Sequence, residues 1–190
     1  ATWSWLNVVP PLKVRVVGID ASANAIGFGL DSGLLDGGIA RDFEATGVVP
    51  DDDERAWLRA CNLLISTGAI GYVTERTLDK ILPDLGARHA GVTGSVALLT
   101  ILRVFDTAPI REAFERDGWT FTPVPGVLLP QRAFADAKEQ DEMVAQLEAR
   151  GVETAELEGG GILYAGLFLA SRDPAVVDAL VPRRVRDADR

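Results

Sequence analysis

Cysteine and histidine are almost missing from this sequence: Cys61 and His89 are the only ones in 190 residues. A single cysteine excludes an internal disulfide and a cysteine-rich metal cluster. A single histidine leaves no His-ligated zinc site and weakens any Ser-His-Asp scheme, so no metal centre is expected. Long apolar runs are missing too. None reaches the length that spans a bilayer, so no membrane partner is expected. Ala1–Leu12 has neither a basic stretch nor an apolar core and does not read as a signal peptide, which points to the cytoplasm. Basic charge is scarce: 19 Lys and Arg stand against 28 Asp and Glu, a net charge of -9. A nucleic-acid partner needs a basic surface to replace phosphate counterions, and none is expected here. Lysine occurs only as Lys13, Lys80 and Lys138. That arginine bias fits a G+C-rich bacterial genome and carries no functional meaning.

What remains is a globular composition, 47% hydrophobic and 25% charged, enough for one domain with a core of its own. Lys13–Asp20 is rich in Val and Ile and reads as a strand ending in an acid. Ser22 is a plausible N-cap, and Ala23, Ile26, Leu30 and Leu34 recur at helical spacing, predicting a helix to about Leu35. Ile39–Glu44 is a short strand with Asp42 near its end. Asp51–Glu54 places negative charge on the first turn of a second helix, where the helix dipole favours it. Asn62–Ser66 follows as a strand, Thr74–Leu82 as a helix, and Ser95–Val104 as a central strand.

Pro109 suits the first turn of a helix to Arg116. The proline-bounded stretch from Pro123 to Pro130 is expected to run over the surface, and Asp136–Arg150 is a helix with Gly151 behind it. Val152–Leu157 and Ile162–Ser171 then pair as an antiparallel hairpin about Gly159-Gly160-Gly161, a turn with no Lys-Ser/Thr behind it and hence no phosphate loop. The tail after Pro182 is expected to be a solvated end. Alternating strands and helices with near-continuous apolar strands predict an α/β fold. Its sheet is open and mostly parallel, with helices on both faces and a C-terminal antiparallel hairpin.

Three pieces carry a resemblance: Val17-Gly18-Ile19-Asp20-Ala21-Ser22, Ala40-Arg41-Asp42-Phe43-Glu44, and Leu64-Ile65-Ser66-Thr67-Gly68. Their order, from Lys13 to Ser171, resembles the class I S-adenosylmethionine-dependent methyltransferases, with their Rossmann-like sheet. Two further segments, Gly68–Thr77 and Pro130–Asp136, resemble an uncharacterised bacterial group of that family. The resemblance implies S-adenosylmethionine as cofactor and methyl transfer to a small-molecule acceptor. It implies that Asp20, with Ala21 beside it, holds the ribose hydroxyls of the cofactor. Asp42 would meet the adenine amino group with Phe43 against the ring, and the small turn Ser66-Thr67-Gly68 would face the methyl donor. The domain is then 13–172, with an N-terminal segment 1–12 and a C-terminal tail 173–190. The family opens with a strand and a Gly-x-Gly loop, whereas Ala1–Leu12 contains no glycine. The expected partners are a small-molecule substrate and either a second copy in a homodimer or a separate N-terminal segment that supplies the loop.

Methyl transfer needs mainly positioning, because the sulfonium brings its own leaving group. Candidates for the chemistry follow the strand ends: Glu75 and Tyr72 as catalytic groups, and Arg103, Gln131 and Arg132 as substrate-binding groups. Each has a plainer alternative. Asp20 also suits a helix cap, and Asp42 with Phe43 an exposed acid beside a core ring. Ser66–Gly68 also suits a tight turn, Glu75 a first-turn helix acid, and Arg103 a salt bridge to Asp106 or another neighbouring acid. His89 reads as a surface residue, and Cys61 and Met143 as core. The alternative functions are a methyltransferase-like domain that binds a ligand or partner without transfer, or another chemistry such as a cyclase on the same scaffold.

Overall fold

The structure, a computed structural model, describes residues 14–87 and 95–181. The N-terminal segment 1–12, His89 and the tail after Pro182 lie outside the described residues. The chain divides into two compact units between Val49 and Pro50.

The first unit holds β1 (Val17–Asp20), α1 (Ala23–Asp31) and β2 (Gly37–Ala40). β1 and β2 pair in parallel from Val17↔Gly37 to Asp20↔Ala40. Ser22 caps α1 by accepting the Ala25 N–H. The helix lies close on the strands because Gly18 and Gly38 carry no Cβ: one at Gly18 would stand 3.2 Å from the Ile26 side chain of the helix, and one at Gly38 would collide with it. Two boundaries differ from expectation. The helix stops at Asp31, where the left-handed Gly33 (φ +71°) turns the chain, so Leu34 and Leu35 lie beyond it. The second strand is Gly37–Ala40, and Asp42 sits past its end. There its carboxylate accepts the Glu44 N–H, a local bond that competes with strand pairing.

The second unit runs α2 (Asp52–Ala60), β3 (Leu63–Thr67), α3 (Glu75–Ile81), β4 (Val96–Leu102), α4 (Ala108–Arg116), β5 (Thr120–Ala133), α5 (Ala137–Ala149), a 3-10 turn (Glu158–Gly160), β6 (Ile162–Ser171) and α6 (Pro174–Leu180). Asp51 and Glu54 close a reciprocal capping box on α2. The four strands lie in the order β3-β4-β6-β5. β3 and β4 are parallel, and β6 is antiparallel to both β4 and β5. β3, β4 and β5 therefore share one direction, and β6 is the single reversed strand.

Three expectations are corrected here. Residues 123–130 are part of β5. Its prolines are tolerated because β5 is the outer strand of the sheet, and the ladder shifts register at Pro123/Leu128 and at Pro130/Arg132. Val152–Leu157 forms no strand: the Thr154 carbonyl takes the N–H groups of Leu157 and Gly159 and folds the segment into turns. The partners of β6 are instead β4 and β5, so the reversed strand is inserted between older neighbours and no hairpin is made. Residues 173–181, expected as the start of a tail, contain α6, with Asp173 capping the Ala175 N–H and Pro174 opening the helix.

Helices cover both faces of this sheet. On one face Phe114 of α4 stacks on Phe121 of β5 at 5.4 Å between ring centres, and Phe121 stacks on Phe168 of β6 at 5.1 Å. On the other, Val177 and Val181 pack with Leu169 and Val124. Arg172, just after β6, joins the layers. Its guanidinium donates to the carbonyls of Leu82 and Leu85 and to Asp117, and lies 4.9 Å from the centre of the Trp119 ring. Phe114 is fully buried, so Phe114→Ala should cost about 3–5 kcal/mol by the scale of a large core truncation. Phe28→Ala, at an exposed ring, should cost far less. Urea unfolding of both variants measures the difference, and equal costs would contradict the assigned core.

Candidate functional site

The carboxyl ends of β3, β4 and β5 lie on one side of the four-stranded sheet because the three strands share a direction. Ligands of open α/β sheets bind beyond such ends. β3 ends at Thr67, and Gly68 turns the chain with φ +66°. The Gly68 N–H is fixed against β4 by the Thr100 hydroxyl at 3.2 Å. Residues 69–73 form a tight turn, with the Tyr72 and Val73 N–H groups both on the Ala69 carbonyl. Ile70 is buried below it, while the Tyr72 ring stands 86% exposed. Gly71 has φ +119°, and a Cβ there would meet the Phe105 ring at 2.5 Å, so the loops after β3 and β4 touch at this point. Thr74 caps α3 by accepting the Arg76 N–H, and Glu75 lies in the first turn, half-buried.

The far end of β5 reaches the same place. The Gln131 side-chain oxygen lies 3.9 Å from where a Cβ of Gly68 would stand. Arg132 is close enough to Tyr72 to interact with it electrostatically. Its guanidinium forks onto Glu139 of α5 at 2.6 and 3.0 Å. Glu139 also accepts the Ala135 N–H at 2.6 Å. The Arg132 bond and then the Ala135 bond hold the Glu139 carboxyl down at about 2. The fold thus gathers Gly68, Tyr72, Gln131 and Arg132 from loops more than fifty residues apart. Ser66, in the same strand end, has a buried hydroxyl with no hydrogen-bond partner among the described residues.

Arg103 follows β4, and its alternative reading as an ion pair is the one the structure shows, with a different acid from Asp106. Its guanidinium binds the carboxylate of Glu158 at 2.5 Å and the Glu153 carbonyl at 2.6 Å. Asp106 instead caps the Ala108 N–H. The Glu158 side chain is 0% exposed and that of Arg103 13%. Gln140 and Arg150 of the α5 region add bonds to the Glu158 carbonyl and to the backbone of Arg103 and Val104. Sequence reasoning missed Glu158 and Glu139. Glu139 stands in the first turn behind the Asp136 cap, which is a readable signal. An acid beside three glycines gives no hint of burial.

In the first unit Asp20 ends a parallel strand, as expected. One carboxylate oxygen accepts the Ser22 N–H at 2.7 Å, and the residue is exposed, with Ala21 in the turn beside it. Asp42 is exposed as well, whereas Phe43 is buried, with 2% exposure. Two concavities are lined by none of these residues. One of about 280 Å³ sits between the start of β5 and α6, lined by Thr122, Pro125 and Val177. Another of about 200 Å³ lies between α3 and α4, at Asp79 and Arg116. Both are below the usual range of small-molecule pockets. Among the described residues no cluster of three or more His, Cys, Asp or Glu could hold a metal ion, and no helix is long and apolar enough to cross a membrane. Neither protein-family models nor curated proteins match the chain.

Two outcomes test these pairings. Arg103→Met leaves the Glu158 carboxylate buried without its cation and should cost about 3–5 kcal/mol. The double variant Arg103→Met/Glu158→Leu should recover most of that loss in urea unfolding. Glu139, with a folded pKa of about 2 against an ordinary value of 4.5, adds stability that is present above the ordinary value and lost as pH falls through the folded one. A carboxyl-detected NMR titration should place its midpoint near 2, and Arg132→Met should move it up toward the ordinary range. A midpoint unmoved by that substitution would remove the pair as the cause.

Proposed function

We propose that the chain belongs to a Rossmann-like, S-adenosylmethionine-dependent methyltransferase that acts on a small molecule. The observation that carries this reading is the strand arrangement of the second unit. Two parallel strands, each followed by a helix, are succeeded by a single reversed strand that comes last in sequence. A single reversed strand set between β4 and β5, which share the direction of β3, supports this reading, while the hairpin that the resemblance implied is not formed.

The exposed acids of the first unit fit the cofactor's nucleoside. Asp20 uses one oxygen on the Ser22 N–H and has its other oxygen to accept from a ribose hydroxyl. Asp42, similarly half-used on the Glu44 N–H, would accept from an amino group of the base. Phe43 does not fit, because its ring is buried. No described residue supplies a glycine loop for the methionine end. When bound, the cofactor supplies an electrophilic methyl group on a good leaving group.

In the second unit, Gly68 lets backbone approach a ligand closely, and Tyr72 and Gln131 offer a hydroxyl and an amide to orient an acceptor. Glu75 is the acid placed to take a proton from it. Arg132 is engaged by Glu139, so an anionic acceptor would have to displace that carboxylate. The arrangement favours an uncharged or amine-bearing substrate. The same pairing of both arginines, with the buried Phe43, supports the second reading of a domain that binds a ligand without methyl transfer.

Calorimetric titration with S-adenosylmethionine separates them from unrelated functions. Weak binding is expected, since contacts to the methionine end are not among those described. Asp20→Ala should weaken it by about 1–3 kcal/mol, the scale of a lost hydrogen-bonding partner. No heat at millimolar cofactor, or full affinity in Asp20→Ala, would overturn the assignment.

A further inference from the structure

Two arginines hold the turn that follows β4. The Phe105 N–H closes this turn on the Leu102 carbonyl at 3.0 Å. Arg150, at the end of α5, donates to the carbonyls of both Arg103 and Val104. The Arg103 guanidinium spans two points of the segment before β6, the Glu153 carbonyl at 2.6 Å and the Glu158 carboxylate at 2.5 Å. Gln140 of α5 fixes that segment in its turn, through the carbonyls of Glu158 and Gly159. The residue carried at the tip of the turn is Phe105. Its ring lies against Gly71, where a Cβ would stand 2.5, 2.8 and 3.2 Å from three ring atoms. Gly71 also has φ +119°, a backbone conformation open to glycine. Tyr72 comes next, with its N–H and that of Val73 on the Ala69 carbonyl.

A buried ion pair is a poor source of net stability. Desolvation of both charges offsets their attraction, and an apolar pair of like volume often serves as well. What an apolar pair lacks is direction. The side chains of Glu158 and Arg103, 0% and 13% exposed, therefore point to a demand of geometry. We propose that Arg103, Glu158 and Arg150 are positioning residues for the candidate site: through the turn Leu102–Phe105 they seat the Phe105 ring on Gly71, and so fix where Tyr72 stands. Neither arginine has to touch a ligand for this, and the coupling holds whichever ligand the site takes.

NMR of the whole chain without ligand tests the coupling. The Phe105 ring current should displace the Gly71 methylene protons from their usual position, and Phe105→Leu should return them to it. The double variant Arg103→Met/Glu158→Leu should regain stability, yet move these protons most of the way to their position in Phe105→Leu. Amide exchange of Tyr72 and Val73 should quicken about 10-fold in it, as the turn opens locally. Arg150→Met, at an exposed position, should fold and give a smaller shift of the same sign. If the double variant fails to fold, Arg150→Met decides alone. Val177→Ala, which removes packing among Val124, Leu169 and Val181, should lower stability and leave Gly71 where it is. Gly71 protons unmoved in the folded arginine variants overturn the proposal. So does an equal movement in Val177→Ala, which would reduce the effect to a general loosening of the fold.

Discussion

β6 is the strand on which the second unit depends. It pairs with β4 over seven residues and with β5 along nearly all of its length, so the sheet waits on strand pairings that span much of the chain. Nothing between Pro50 and Leu157 can form the sheet's centre until β6 arrives, because β4 and β5 have no bond to each other. The stack of Phe114, Phe121 and Phe168 needs all three of α4, β5 and β6 in place. Arg172, one residue past β6, then ties the end of α3 to that of α4, donating to the carbonyls of Leu82 and Leu85 and to Asp117. Such late, non-local closure costs loop entropy first and is repaid by burial afterwards.

How much of this could be read from the sequence follows from the range of the forces involved. Local signals were legible. Ser22 caps its helix as read, and Gly151 follows α5 with φ +72°, while Asp51, Thr74 and Asp136, read as first helical residues, are the caps one position outside. β4 is central, as its apolar run implies. The failures share a cause. β5 was hidden because prolines argue against a strand unless it is an edge, and edge position is a tertiary fact. Val152–Leu157 has strand-like composition, yet the carbonyl of Thr154 is taken locally, and β6 already has a partner on each side. Of the candidate site, the meeting of Gly68 and Tyr72 with Gln131 and Arg132 depended on the direction of β5, which no local pattern encodes. The burial of Glu158 depended on Arg103, 55 residues away.

Two arginines at the carboxyl ends of the strands, Arg103 and Arg132, are each matched by an acid before any ligand arrives. Arg132 is matched by Glu139 at the surface, where solvent screens the pair and its worth is mainly geometric. Arg103 is matched by Glu158 in the interior, where neither partner can be removed alone without leaving a desolvated charge. The first pair can exchange partners and the second cannot. Groups that meet a ligand are therefore to be sought among Tyr72, Gln131 and the surface pair. Arg103 and Glu158 serve to hold the segment before β6 against the end of β4.

The sheet's two edges show why composition alone misleads about position. A continuous apolar strand such as Leu63–Thr67 reads as internal, because parallel strands are normally covered on both faces. Here it has β4 on one side only among the described residues, and alternate side chains stand half in solvent. A proline-bearing strand such as β5 reads as no strand at all, yet it is the properly finished edge. Both misreadings dissolve once strand sequence is treated as a statement about neighbours. Prolines and charge mark an edge that is meant to stay single.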